Sequence, residues 1–320
     1  MTTDIGYNEA AAFFKERDGF IIFTHTSPDG DTVGSASALV RLLRTMGKRA
    51  VAVCPDPLPT KLGFLDKDDV FTSSLPAETE TAVSVDVASL TMLGSLSGFA
   101  ESREFDLTVD HHNTSTLPCH LRLIKPNYIS NGEIIYELAR HMTLPIDQPT
   151  AEALYTAICA DSGGFRYENT RPETYEYAAQ LIRAGADFSA IYRRLFERKS
   201  PQQLALERAA YNALRFYFGG RLAIIALERE EIERCGAEDS DFDALNQIPR
   251  QAEGVEVSAV MRPRGNEIKV SLRSNEYYDV AEFAKHRGGG GHLHAAGYRF
   301  CGNVQDALQS LVSDMKGHFT

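Results

Sequence analysis

Four short apolar runs, at 20–24, 49–54, 81–85 and 105–109, alternate with stretches of helical periodicity. Three of them lead directly or within a few residues to an aspartate, namely Asp29, Asp86 and Asp110. Runs of this length, set between helical patterns, read as βαβ units, and therefore as a parallel sheet flanked by helices. Parallel strands align their carboxyl ends along one edge, which is where an open α/β sheet binds ligands. Separate strand ends would thus deliver carboxylates to one crevice. The first of them is the richest, reading His25-x-x-Pro28-Asp29-Gly30-Asp31-x-x-Gly34-Ser35 between the run at 20–24 and a helical pattern at 36–46. Pro28 and Gly30 keep that turn irregular, so that His25, Asp29 and Asp31 converge.

Further helical patterns follow at 130–141, at 148–161 (ending in Asp161-Ser162-Gly163-Gly164), at 173–184 and at 188–218, the last long, charged and interrupted only at Pro201. From residue 221 the texture changes to strands at 221–227, 255–261, 267–273 and 298–301 with helices between them. The expected architecture is α/β: a parallel-sheet catalytic domain at 1–186, a helical connector at 187–220 and a smaller α+β domain at 221–320. Substrate is expected in the cleft between the two domains.

A formal net charge of -11 argues against a grip on long duplex nucleic acid, whose non-specific affinity comes from Lys and Arg. It leaves room for a small phosphate ligand held locally by metal and arginine. The apolar runs fall far short of the roughly 20 residues of a membrane span, and the first 20 residues are too acidic for a secretory signal. A cytoplasmic chain without a membrane partner is expected. The 5 cysteines are dispersed, with no pair at zinc-finger spacing, and read as reduced structural thiols.

Brought together, His25, Asp29, Asp31, Asp86, Asp110, His111, His112 and Asp161 form the candidate site. Carboxylates crowded in a partly buried crevice raise one another's pKa. Two divalent cations would balance Asp29, Asp31, Asp86 and Asp161. An oxygen and nitrogen set without thiolate suits Mn²⁺, with Mg²⁺ or Co²⁺ as alternatives. Such a pair holds a bridging water, lowers its pKa and clamps a phosphoryl oxygen, which points to hydrolysis of a phosphate ester or anhydride. Taken singly, each element has a plainer reading. Asp-Gly-Asp is commonly a turn, Asp86 could cap a helix, and Asp161 could belong to turn chemistry. A calcium loop is excluded, because its third acid and its terminal glutamate are missing. The joint occurrence at strand ends is what favours the metal reading.

Asp110-His111-His112, together with the motif at 25–35, resembles the DHH phosphoesterase superfamily, which includes RecJ-like exonucleases and type II inorganic pyrophosphatases. The stretch at 288–297, Gly-Gly-Gly-Gly-His-Leu-His-Ala-Ala-Gly, resembles the signature of the DHH-associated C-terminal domain. At this length the chain is most similar to the group of oligoribonucleases that also act on 3′-phosphoadenosine 5′-phosphate (pAp). The resemblance implies that His25, Asp29 and Asp86 hold one metal and that Asp31, Asp86, His111 and Asp161 hold the other. It also implies that His112 faces the substrate phosphate, that Asp110 orients the histidines, and that homodimers are common. Ser130-Asn131-Gly132-Glu133 departs from the expected Ser/Thr pair, which leaves the contacts there open.

In the C-terminal stretch, Gly290, Gly291 and His292 would form an anion cradle running into a short Ala-Ala helical turn. Arg273 and Arg262, on neighbouring strands, are candidate phosphate forks. Arg166 either reaches the crevice or caps its own loop. The expected activity is two-metal, bridging-hydroxide hydrolysis of very short single-stranded RNA to mononucleotides and of pAp to AMP. The competing readings are a phosphodiesterase for cyclic or linear signalling dinucleotides, a type II pyrophosphatase, and a non-catalytic nucleotide-binding module.

Overall fold

In the computed structural model the apolar runs of the first half become the central strands of one parallel sheet. The structure describes residues 2–72, 74–76, 80–113, 115–237 and 239–319, without the side chains of Asp239, Ser240, Asp243 and His292. The chain divides into two units, Met1–Arg198 and Lys199–Thr320.

The first unit holds β1 (Thr3–Asp4), β2 (Phe20–Phe23), β3 (Ala50–Val53), β4 (Phe71–Thr72), β5 (Thr81–Val85), β6 (Phe105–Asp110) and β7 (Cys119–Ile124). All pair in parallel, in the order β1-β7-β6-β5-β2-β3-β4. The chain moves outward from β2 to β3 and β4, then returns to β5 on the other side of β2. The strand order therefore reverses between β2 and β5, and this switch point is the expected ligand crevice. Both strands are buried along their whole length, which fits the wholly apolar Phe-Ile-Ile-Phe of β2 and the absence of charge from β5.

The helices of this unit are α1 (Tyr7–Glu16), α2 (Gly30–Thr45), α3 (Ser97–Ser102), α4 (Asn131–Met142), α5 (Gln148–Asp161), α6 (Pro172–Arg183) and α7 (Phe188–Tyr192). One face of the sheet is packed by α1, α2, α4 and α5, and the other carries a smaller aromatic core of Phe23, Phe99 and Phe105. α2 and α5 approach closely because glycines line the contact. A Cβ on Gly30 would lie 2.5 Å from the Cβ of Ala160, and one on Gly34 would lie 2.5 Å from the carbonyl of Ala153. Gly30 is a helical residue rather than the breaker expected from the sequence, and its small size brings the ends of α2 and α5 together.

The second unit comprises α8 (Pro201–Ala213), β8 (Leu214–Tyr217), β9 (Leu222–Ala226), α9 (Arg229–Cys235), α10 (Gln247–Arg250), β10 (Val257–Arg264), β11 (Glu267–Ser274), α11 (Val280–Lys285), β12 (Gly290–His292), β13 (Ala295–Cys301) and α12 (Val304–Met315). Its mixed sheet runs β12-β13-β11-β10-β9-β8, with only β9 and β10 parallel. α11 and α12 cover one face, and α8 and α10 cover part of the other. Among the described residues no helix is long and apolar enough to cross a membrane.

Three sequence expectations change. The helix expected at 188–218 is α7, a π-turn at 193–197, a break at 198–200, then α8, and its last residues are strand β8. The Ala-Ala helical turn is instead the start of β13. Strand β7, absent from the sequence reading, extends the parallel sheet beyond β6.

Candidate metal centre

His25 and Asp29 follow β2, Asp86 follows β5 and Asp110 ends β6, so the switch point gathers the strand-end residues at one edge. Asp29 is the N-cap of α2 and accepts the N–H groups of Asp31 (3.0 Å) and Thr32 (3.1 Å) through Oδ1. Asp31, the second residue of the helix, is completely buried. Its carboxylate accepts the N–H groups of Asn131 (2.6 Å) and Gly132 (3.0 Å) at the start of α4, and the hydroxyl of Ser35 (2.9 Å). Asp86 adopts φ 61°, a left-handed conformation that aspartate tolerates better than most residues, immediately beyond its strand. It is not a helix cap.

Both metal-type histidines are held by their Nδ1 atoms. Nδ1 of His25 lies 2.7 Å from the carbonyl of Thr26, and Nδ1 of His111 lies 3.3 Å from the carbonyl of Tyr128. A carbonyl can only accept, so each Nδ1 carries a hydrogen and each Nε2 is the atom turned toward the carboxylates, able to bind a cation once its own proton leaves. For His25 it points at Asp29 (3.8 Å) and Asp86 (3.4 Å). For His111 it points at Asp31 (3.7 Å), Asp86 (3.4 Å) and Asp161 (3.6 Å). Three groups of ligand atoms, each within 4.8 Å of one another, result: His25–Asp29–Asp86, Asp31–His111–Asp161 and Asp86–His111–His112. Asp86 is common to two of them.

Electrostatics show what such crowding requires. Burial works against a charged imidazole, yet the Asp29 and Asp86 carboxylates lift His25 to about 11, and Asp86, Asp31 and Asp161 lift His111 to about 10. Burial and the charge of Asp86 push Asp31 up to about 8, and burial with the charge of Asp31 pushes Asp161 well up. Asp86 is buried too, but His111 and His25 draw it down to about 2. Protons thus hold together a cluster that divalent cations would neutralise more fully. Asp86 Oδ1 and Asp110 Oδ2 are buried without a hydrogen-bond partner. Orphaned buried acceptors beside converging imidazoles fit a hard or borderline divalent ion.

Asp110 fastens its neighbours rather than joining the ligand groups. Its Oδ1 accepts the N–H of His111 (2.8 Å), the N–H of His112 (3.1 Å) and Nδ1–H of His112 (2.7 Å). The Asp110 carboxylate raises the pKa of His112.

Of the remaining candidates, Arg166 belongs to the first unit and the other five to the second. Arg166 is exposed and donates Nε to the carbonyl of Gly163 at 2.7 Å, capping its own loop. In the second unit Arg273 and His292 both stand opposite Ala295, so β11, β13 and β12 place them in one row. The side chain of His292 lies outside the described residues. Arg262 stands opposite Lys269, not Arg273, and is buried with its guanidinium 4.0 Å over the ring of Phe242. Gly291 needs its small size because a Cβ would lie 2.4 Å from the carbonyl of Ala295, whereas nothing lies within 4 Å of one on Gly290.

Sequence reasoning passed over Tyr128 and Thr26 and left the contacts of Asn131 and Gly132 open; all four act on the centre through main-chain atoms. One signal was present. Ser130-x-x-Glu133 has the pattern of a helix start, and a helix start offers free N–H groups to an anion.

A model of the DHH family N-terminal domain matches residues 19–158, and a model of the DHHA1 domain matches residues 230–317. The chain is 32% identical over 304 residues to the bifunctional oligoribonuclease and PAP phosphatase NrnA of Thermus thermophilus, spanning 93% of this chain and 90% of that protein. It is 27% identical over 312 residues to the protein of the same name from Mycoplasma genitalium, spanning 96% and 95%. Among solved structures, an exopolyphosphatase-related protein from Bacteroides fragilis matches with a TM-score of 0.89 at 25% identity, over 98% of this chain and 97% of that one. With both halves matched in order, and the Thermus relative aligned along nearly its whole length, the chain belongs to the DHH family of phosphoesterase hydrolases and carries a DHHA1 domain as its second half.

Proposed function

We propose that this hydrolase cleaves very short RNA oligonucleotides to mononucleotides and converts pAp to AMP, using two divalent cations, with Mn²⁺ suiting the oxygen and nitrogen donors and Mg²⁺ or Co²⁺ as alternatives. The observation that carries the reading is that Asp86 groups with His25 and Asp29 on one side and with His111 on the other, and His111 in turn with Asp31 and Asp161. The activity named for the Thermus and Mycoplasma relatives supports the substrate class. His25, Asp29 and Asp86 would hold one cation, and Asp31, Asp86, His111 and Asp161 the other. Bound there, divalent cations supply Lewis acidity toward a phosphoryl oxygen and make water more acidic.

The chain's own groups do the rest. Asp110 accepts Nδ1–H of His112 and raises its pKa, which favours the imidazolium whose Nε2–H would donate to a phosphate oxygen and stabilise charge developing on it. Asp110 also orients His111 through its main chain, so one carboxylate sets both imidazoles. We assign recognition of the far phosphate to Arg273, Gly290, Gly291 and His292, with Arg262 and Arg166 in supporting places. Arg273 sits on the less buried face of β11, in the row that crosses Ala295 to His292, and Gly290 lies two positions along β12 from that row.

The test is to incubate the protein with Mn²⁺ and, in separate reactions, an RNA dinucleotide, a longer RNA, pAp, cyclic and linear signalling dinucleotides, and pyrophosphate. Turnover of the RNA dinucleotide and of pAp is expected. Phosphate release from pyrophosphate alone would sink the nucleotide reading. Exclusive turnover of the signalling dinucleotides would replace it.

A further inference from the structure

The segment 128–133 touches the centre at three points without supplying a ligand. The carbonyl of Tyr128 accepts Nδ1–H of His111, and the N–H groups of Asn131 and Gly132 bind the two oxygens of Asp31. Two of the three members of the Asp31–His111–Asp161 set therefore depend on one turn of main chain. The other set, His25–Asp29–Asp86, makes none of these contacts among the described residues.

That turn is fixed from behind. The carboxylate of Glu133, completely buried, accepts the N–H of Ile129 (3.1 Å), Nη2 of Arg171 (2.8 Å) and the hydroxyl of Thr174. Arg171, at the N-cap of α6, also lays its guanidinium 4.5 Å over the ring of Tyr128. One cation thus holds both ends of the turn, the aromatic residue whose carbonyl orients His111 and the glutamate at the start of the helix that binds Asp31. A buried carboxylate needs such a partner in any fold. What a purely structural pair would not need is the simultaneous stacking on Tyr128.

We infer that Arg171 and Glu133 are positioning residues for the Asp31–His111–Asp161 set, and that they govern cation affinity there and not at His25–Asp29–Asp86. The pair acts through main-chain atoms and touches neither cation nor substrate. This inference rests on the reading that the centre binds cations.

Calorimetric titration of the full chain with Mn²⁺ tests it. Wild type should show two binding events, told apart by Asp161→Asn, which removes one, and Asp29→Asn, which weakens the other. Arg171→Met should weaken the Asp161-dependent event by about 10- to 100-fold, the usual effect of losing a group that orients a ligand. The Asp29-dependent event should stay unchanged. Arg171→Lys keeps the charge but loses the planar stack, and should restore affinity only in part. Because a glutamate left without its arginine could unfold the chain, Arg171→Met combined with Glu133→Gln serves as the neutral pair and should show the same selective loss. Two unchanged events in these variants would overturn the inference and leave the metal reading intact, as would an equal fall in both together with a lowered melting temperature. Absence of any Mn²⁺ binding by wild type would overturn the metal reading itself.

Discussion

One ligand set of this centre rests on a side chain that water can reach, and the other on main chain that it cannot. The side chain of Asp29 is 56% exposed and has one oxygen engaged in capping α2, so His25–Asp29–Asp86 opens to solvent. Asp31 is fully buried with three donors on its carboxylate, and His111 is oriented from the turn that supplies two of them. Preorganised ligands lose less freedom on binding, so the Asp31 set should fill first and the Asp29 set should exchange more readily. Equal filling in a stepwise Mn²⁺ titration would contradict this asymmetry.

Asp86 is where the comparison breaks down, because it completes the His25–Asp29 set and also groups with His111, a member of the other. Asp86→Ala should abolish both binding events and reduce phosphoesterase turnover on the order of 10³-fold or more. Calorimetry and a steady-state assay on the same preparation check it. Retention of either event would show that the sets are independent rather than joined.

The next effect separates them. Asp29→Asn keeps a good N-cap, so stability should change by less than about 0.5 kcal/mol while the exposed set loses about tenfold in affinity. Asp31→Asn places an amide group where two main-chain N–H groups need acceptors. It should lower stability by about 1–3 kcal/mol as well as affinity by about 100-fold. Denaturant unfolding run beside the Mn²⁺ titration distinguishes the two profiles.

The same contrast explains how far the sequence could be read. Asp86 and Asp110 were legible because they end apolar runs, and a run's length and its punctuation are side-chain properties. The hold on Asp31 was not, since Asn131 and Gly132 contribute only N–H groups that every residue but proline possesses. Gly30 was misread for a related reason. Its value lies in the closeness of Ala160, 130 positions away, not in local conformation. Residues 214–217 looked helical as a continuation of α8, but Leu-Arg-Phe-Tyr alternates and finds β9 as a partner, and pairing outweighs the helical trend. Arg262, expected as a phosphate fork, is buried with its guanidinium over Phe242, 20 residues earlier, a neighbour that no local pattern announces.

Protons and cations compete for this centre, which gives a smaller effect with a fixed sign. Asp31 sits near 8 in the folded chain against an ordinary value of 3.8, so its contribution to stability is full below about pH 4 and is lost as pH rises through about 8. His25, raised from 6.5 to about 11, contributes stability that is likewise lost as pH rises, up through about 11. Asp86 runs the other way, but only between its folded value of about 2 and 3.8. Metal-free protein should therefore melt lower at about pH 8 than at about pH 5. Added Mn²⁺ should protect more at the higher pH, with apparent affinity gaining about tenfold per pH unit for each proton displaced. Melting curves with EDTA and with Mn²⁺ read both terms.

The smallest expected effect on cation affinity tests what draws the two sets so close. A Cβ at Gly30 would meet the Cβ of Ala160 at 2.5 Å, one residue before Asp161, so Gly30→Ala should push the end of α5 away from α2. A loss of about 1–3 kcal/mol follows from overpacking, with a modest fall in the Asp161-dependent event only. Gly98→Ala, in α3 with no atom within 4 Å of the new methyl, should instead gain about 0.5–1 kcal/mol from the reduced freedom of the unfolded chain. Gly30→Ala paired with Ala160→Gly then decides between the explanations. If close approach is the reason for Gly30, the second change removes the clash and returns stability to within the roughly 1 kcal/mol that a helical glycine costs. If conformational freedom were the reason, Ala160→Gly could not compensate, and the double variant would be weaker than either single one.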